Sequence, residues 1–292
     1  MAGEGRDRPG TLYVVATPIG NLEDITMRAL RVLREVGLIA AEDTRHSRKL
    51  LNHFGIRTAL ISCHEHNEQQ RQEALVGRLL GGTSIALISD AGTPAIADPG
   101  YRLVRACHAA GVPVVPVPGP SALLTALSAA GEPTDRFVFE GFLPARAKAR
   151  EETLQSLRDE PRTVICYETP HRLLAALRAV LAVWGAERPL VVARELTKLH
   201  EELFRGTVAE ALDHFGTAPV RGELVLILPP HVVAAPPRAM ATVLHELLVT
   251  RQLPRKEAVK LVAREFGVAS SDVYRLSLTV GERSGEEGPG GS

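Results

Sequence analysis

From Thr11 onward the chain alternates short β-branched runs with helical stretches, and this limits its fold more than any other feature. TLYVVAT, LIAAE, TALIS, SIALIS and VPVVPV read as buried strands of a first half. Between them, a helix is expected from about Thr26 to Val36, with Met27, Leu30, Leu33 and the stem of Arg34 facing inward at helical spacing. TRHSRKLLNHF is a second helix, stopped by Gly55. Asn67 offers an N-cap for a third, with Gln70 completing a capping-box pattern. A fourth comes after the loop DAGTPAIADPG and ends near Gly111. FVFEGF, TVICYE, PLVVARE, EELFRG and GELVLIL are strands of a second half, and PHRLLAALRAVLAVWG is a helix with Pro170 suited to its first turn. The pattern predicts an α/β fold with largely parallel sheets.

The turn PGPSA divides an N-terminal α/β domain, 11–118, from a second, 119–230. Prolines at 229–238 disfavour helix and sheet alike. Beyond them, 239–282 changes character to a small helical module. Met240, Val243, Leu244, Leu247 and Leu248 form an amphipathic stripe, and RKEAVKLVAREFGVASSDVYRLSL has a helix-turn-helix pattern in which Ala263 permits close crossing and Gly267 the turn. The tails, 1–10 and 283–292, are expected to be disordered.

Apolar residues make up 45% of the chain, enough for a sizeable core, and with 4% aromatics that core must be aliphatic. Lysine plus arginine equals aspartate plus glutamate, 34 of each, which argues against a uniform basic field that coats nucleic acid. Cys63, Cys107 and Cys166 are too widely spaced for a zinc knuckle or redox dithiol, so reduced thiols in a cytoplasmic protein are expected. The polar N-terminus lacks a signal core, and no run reaches the ~18 apolar residues needed to span a bilayer. Secreted, collagenous and membrane classes are therefore excluded.

Ligands of open α/β sheets sit beyond the carboxyl ends of the strands, so the loops after the strands are the candidate site. DAGTPAIADPG is the most informative: its small residues let a ligand approach the backbone directly, although a rigid chain reversal would use the same residues. No Gly-Lys pair exists, so a Walker-type phosphate cradle is absent, and no GxGxxG comes after the first strand. Cys63-His64-Glu65-His66 lies at a strand end, where alternate residues diverge, so no metal site is expected there.

Read together, VATPIGNLEDITMRAL, AAEDTR, HEHNE, ALISDAGTPAIADPGYRLV, VPGPSALLTALSAAG, FEGFLP, YETPHR, ARELTK and RGELVLIL resemble the bacterial ribosomal RNA small subunit methyltransferase I family of the tetrapyrrole-methylase superfamily. The resemblance spans about residues 11–281. It implies two α/β domains, a homodimer, S-adenosylmethionine held between the domains, and 2′-O-methylation of a cytidine ribose in the decoding region of 16S ribosomal RNA within the small ribosomal subunit. Carried over by motif, the donor-binding residues are Pro18 and Ile19 of the first loop; Asp90, Ala91, Gly92, Thr93 and Ile96; Ser121 and Ala122; and Tyr167, Glu168, Ala193 and Arg194 of the second domain. This chain has TPIGNLED where the corrinoid and sirohaem enzymes carry GxGPGD, a departure that argues against a tetrapyrrole substrate and blurs the contact at Pro18.

For chemistry the resemblance nominates Glu42, with Asp43 beside it, and His64 as a cationic partner. Glu42-Asp43-Thr44-Arg45 also reads as a helix N-terminus, where acids favour the macrodipole. Arg45, Asn67, Arg194 and Lys198 are candidates for substrate contact, and Arg194, Glu195 and Lys198 could equally pair with one another. Three basic groups could meet RNA or be solvated faces: Arg45, His46, Arg48 and Lys49; Arg146, Lys148 and Arg150; and Arg251, Arg255, Lys256, Lys260 and Arg264. Two other readings stay open: a methyltransferase of the same superfamily acting on a corrinoid, and a non-catalytic ligand sensor that binds DNA.

Overall fold

A computed structural model describes residues 8–64, 68–230 and 240–282. They belong to two compact units, Met1–His231 and Val232–Ser292. The Asn67 cap and most of the proline-rich 229–238 segment lie outside the described residues, as do 1–7 and 283–292. Gly10 is buried and its N–H donates to the Leu79 carbonyl, because it runs close against the Thr83–Ser84 backbone.

The first sheet contains β1 (Leu12–Val15), β2 (Leu38–Ala41), β3 (Leu60–Ser62), β4 (Ile85–Ile88) and β5 (Val114–Val117), in the order β3-β2-β4-β1-β5 and parallel throughout. Helices α1 (Met27–Glu35) and α2 (Thr44–His53) cover one face, where Leu33 and Leu51 pack with Val15 and Ile39. Helices α3 (Glu68–Leu80) and α4 (Tyr101–Ala109) cover the other, where Leu79 and Leu103 pack with Leu12 and Ile85. Burial on both faces explains why β2 and β4 are apolar at every position. Thr26 caps α1 by accepting the Ala29 N–H at 3.0 Å. That start leaves Met27 82% exposed in the first turn, and Arg34 is exposed as well. The buried stripe is Ala29, Leu30, Val32 and Leu33, which corrects the inward placement of Met27 and Arg34.

The second sheet contains β6 (Phe137–Phe142), β7 (Thr163–Glu168), β8 (Pro189–Arg194), β9 (Glu202–Thr207) and β10 (Leu224–Leu228), in the order β6-β7-β10-β8-β9. Here the expectation of parallel pairing holds only for β6 and β7. The pairs β7–β10, β10–β8 and β8–β9 are antiparallel. The 195–201 connection is too short for a crossover, so β9 must reverse beside β8. Strand β10 then inserts between β7 and β8 and runs against both. Helices α6 (Ala147–Ser156), α7 (Leu173–Trp184) and α8 (Val208–Gly216) cover one face, and α5 (Ala122–Ala130) covers the other. Pro170 sits in a turn ahead of α7, where the Thr169 carbonyl accepts from the N–H groups of Arg172 and Leu173.

The smaller unit is helical: α9 (Met240–His245), continued by a wider turn over Glu246–Thr250, then α10 (Arg255–Phe266) and α11 (Ser270–Glu282). Its core is Val243, Leu244, Ala258, Val259, Val262, Ala263 and Val273, with Met240, Leu247 and Leu248 of the expected stripe packed against it. Gly267 ends α10 in the left-handed conformation at φ 63°, and its N–H returns to the Ala263 carbonyl. Among the described residues, no helix is long and apolar enough to cross a membrane.

Candidate functional site

Because the first sheet is parallel, the loops after β1, β2, β4 and β5 all emerge at one edge. Two of them are stitched together. Thr17 and Gly92 exchange backbone hydrogen bonds of 2.9 and 3.0 Å, and the Thr17 hydroxyl donates to the Ser89 carbonyl at 3.2 Å. The Thr93 hydroxyl donates to the Pro120 carbonyl at 3.2 Å, tying the β4 loop to the start of α5. Gly92 has φ +75°, and a Cβ there would lie 3.5 Å from Ile19, so the loop closes onto the first one without side-chain bulk. Further along, Ala95 and Ala97 hold positive φ values of 68° and 59°. Left-handed backbone is costly for alanine and accumulates where a site requires a particular shape.

These loops and the second sheet line a cavity of about 340 Å³, within the size range of small-molecule sites. Ile19, Glu42, Asp90, Ala91, Gly92, Thr93, Ile96, Asp98, Ser121 and Ala122 form one wall. Phe142, Tyr167, Glu168, Thr169, Pro170, Ala193, Leu196 and Glu223–Val225 form the other. Tyr167 is fixed by accepting the Leu123 N–H at 3.3 Å and by edge contacts to Phe139 and Phe142.

Charge in the cavity has one sign. Glu42, Asp90, Asp98, Glu168 and Glu223 line it, and among the described residues no lysine, arginine or histidine does. Burial, then the neighbouring Glu42, push the Asp98 carboxyl up to about 6. Burial, then Asp90, also raise Glu42, although the nearby His64 acts in the opposite direction. Glu168 is 2% exposed. Its Oε1 accepts the Thr169 N–H at 2.8 Å and lies 3.4 Å from Arg172 Nε. Its Oε2 is buried with no hydrogen-bond partner among the described residues. A carboxylate oxygen in that position is costly unless a ligand donor completes it.

Of the residues nominated from sequence, Ile19, Glu42, Asp90, Ala91, Gly92, Thr93, Ile96, Ser121, Ala122, Tyr167, Glu168 and Ala193 meet at this cavity. Pro18 is not among its lining residues, and neither is His64, whose influence reaches Glu42 electrostatically. Asn67 lies outside the described residues.

Four other nominated residues do not line the cavity and make contacts elsewhere. Asp43 caps α2: its Oδ1 accepts the Arg45 N–H at 2.8 Å, and the Arg45 guanidinium holds its carboxyl down at about 2. The helix-terminus reading therefore applies to Asp43, while Glu42 turns into the cavity. Arg194 misses the cavity because side chains alternate along β8: Val191 and Ala193 face α5, and Arg194 falls on the opposite face, bound to Glu202 at 2.7 Å. Lys198 is held by Glu195 at 2.7 Å and by Glu223 at 3.1 Å, so it borders the cavity only through Glu223. Arg45 is exposed and paired with Asp43 at 2.8 Å.

Sequence reasoning missed Asp98, Phe142, Thr169, Pro170, Leu196 and Glu223–Val225. Asp98 stood inside a loop already singled out, and its acidity among small residues was the available signal.

A family model described as tetrapyrrole (corrin/porphyrin) methylases matches residues 11–212. Curated relatives named ribosomal RNA small subunit methyltransferase I are 51% identical in Escherichia coli, covering 92% of this chain and 95% of the relative, and 52% identical in Pseudomonas aeruginosa, covering 92% and 97%. A crystal structure of uroporphyrin-III C-methyltransferase from Thermus thermophilus, complexed with S-adenosyl homocysteine, has the same fold, with a TM-score of 0.54 at 19% identity over 75% of this chain and 97% of that one.

Proposed function

Because the chain belongs to the ribosomal RNA small subunit methyltransferase I family of tetrapyrrole methylases, we propose that it methylates the ribose 2′-oxygen of a cytidine in the decoding region of 16S ribosomal RNA. S-adenosylmethionine is the donor, and the enzyme acts as a homodimer in the cytoplasm on RNA held within the small ribosomal subunit. The observation that carries this reading is the cavity with five carboxylates and, among the described residues, no cation. A donor that bears a sulfonium and an ammonium suits such a wall, and the unpartnered Glu168 Oε2 is an acceptor for an amino group.

The first and second α/β domains, 11–118 and 119–230, act as two jaws. Ile19, Asp90, Ala91, Gly92, Thr93 and Ile96 hold the donor from one side, with Pro18 shaping the first loop. Tyr167, Glu168 and Ala193 hold it from the other, with Ser121 and Ala122 at the N-terminus of α5 completing the enclosure. When bound, the donor supplies an electrophilic methyl group on a positively charged sulfur. The protein aligns the ribose oxygen in line with that group, excludes water with Ile19, Leu196 and Val225, and removes the hydroxyl proton. Glu42 stands beside the reacting hydroxyl, with His64 close to it. Arg45 at the start of α2, Lys198 and Asn67 contact the RNA backbone, joined by His46, Arg48 and Lys49 of α2 and by Arg146 and Lys148, whereas Arg150 is buried and donates to the Pro144 and Ala145 carbonyls. Arg194 acts indirectly, by bracing the second sheet through Glu202.

Incubation of the purified protein with labelled donor and small ribosomal subunits, with subsequent mapping of ribose methylation, tests the proposal. The expected product is a single 2′-O-methylated cytidine. Label entering a corrinoid instead, or entering neither, overturns it.

A further inference from the structure

The loop that carries Asp98 is built to hold one carboxylate in one place. Left-handed Ala95 and Ala97 precede it, and the Ala95 N–H closes the loop on the Pro99 carbonyl at 3.2 Å. Gly100 then leaves at φ +128°, where a Cβ would meet Leu87 Cδ2 at 2.7 Å. Loop strain of this kind persists only where surrounding structure enforces it, and here it brings Asp98 to the same cavity wall as Glu42 and Asp90. Among the described residues, no cation lines that wall to neutralise it.

We propose that Asp98 is the group that receives the hydroxyl proton of the methyl-accepting ribose, with Glu42 as its electrostatic partner. This rests on the ribose-methylation reading above. The ribose oxygen forms its bond to the methyl carbon as the carbon–sulfur bond breaks. The electron pair of that bond stays on sulfur, and the O–H proton passes to the Asp98 carboxylate. The sulfonium charge and the carboxylate charge vanish together, so a desolvated cavity ends the step with less charge than it began with. The groups that bear on Asp98 are Glu42, Asp90 and Glu223 electrostatically and Ser89 through a hydrogen bond; His64 acts through Glu42, and Tyr167 feels the Asp98 charge. A base that titrates near 6 is ionised at neutral pH and still accepts a proton readily.

The test uses Asp98→Asn and Glu42→Gln in single-turnover methylation of small ribosomal subunits at saturating donor, with donor affinity from calorimetry. The wild-type rate should rise with pH as Asp98 ionises, with a midpoint below that of the free protein because the bound sulfonium favours the carboxylate. Glu42→Gln should move that midpoint down, because a neighbouring negative charge is lost. Asp98→Asn should slow transfer about 100-fold or more and remove the limb, with donor affinity changed by no more than about threefold.

The free protein gives a second readout. Asp98 is harder to ionise folded than unfolded, so its charge destabilises the fold increasingly between about pH 4 and 6. The melting temperature of Asp98→Asn should therefore exceed wild type by a margin that opens over this window and then stays constant. An Asp98→Asn rate and pH profile equal to wild type, or a stability margin independent of pH, overturns the proposal. Should wild type fail to methylate the subunit, the substrate reading falls, and the stability margin still shows whether Asp98 titrates as required.

Discussion

The two sheets reach the same cavity by opposite geometries. In the first, every strand runs the same way, so four loops arrive at one edge and the cavity wall is made of the segments after the strands. In the second, β7 and β8 deliver residues from their carboxyl ends, Glu168 and Ala193, while antiparallel β10 delivers its first, with Glu223 just ahead of Leu224 and Val225. A parallel sheet concentrates loops at its carboxyl edge. A mixed sheet can bring strand beginnings there as well, and so contributes strand-borne apolar groups where the first sheet contributes loop backbone.

If the first sheet's loop forms the floor of the donor site, Gly92→Arg should have the largest effect. The position needs φ +75° and lies against Ile19, so donor binding measured by calorimetry should be abolished. Normal affinity would remove this loop from the site and leave the second sheet as the only binding wall. Glu168→Gln comes next. It keeps the shape but weakens the buried acceptor, and should reduce donor affinity about tenfold in titrations. An unchanged affinity would mean that Oε2 faces nothing in the bound state.

Glu223→Gln tests whether the beginning of β10 matters. Because Glu223 shares the Lys198 ammonium with Glu195, its charge is partly offset, and a loss of only about twofold to fivefold in donor affinity is expected. The smallest catalytic effect belongs to Asp43→Ala. Losing the α2 cap should lower the melting temperature by about 2–4 °C while single-turnover methylation stays near wild type. Asp43 is more acidic folded than unfolded, so its stabilisation is present above the ordinary carboxylate range and disappears as pH falls through about 2. A large activity loss in Asp43→Ala would return it to the chemistry.

The same contrast governs how much was legible in the sequence. Gly92, Ser121 and Ala122 could be found because loops after parallel strands announce themselves by small residues and turn formers. Glu223, Leu224 and Val225 could not, since reading GELVLIL as one more parallel strand puts its start at the far edge. Charged residues misled for another reason. RELTK exposes an arginine and a lysine to any reader, but only the folded chain shows Glu202 occupying one and Glu195 with Glu223 occupying the other. Met27 had the right spacing for burial and failed because the Thr26 cap starts the helix immediately before it.

Alanine rather than glycine at positions 95 and 97 has a consequence of its own. Two glycines would adopt the same torsions with less strain, but they would also roam through many other shapes before a ligand arrived. A methyl group at each position narrows that wandering, so the pocket rim is already in form when a guest enters and little of the binding free energy is consumed in ordering it.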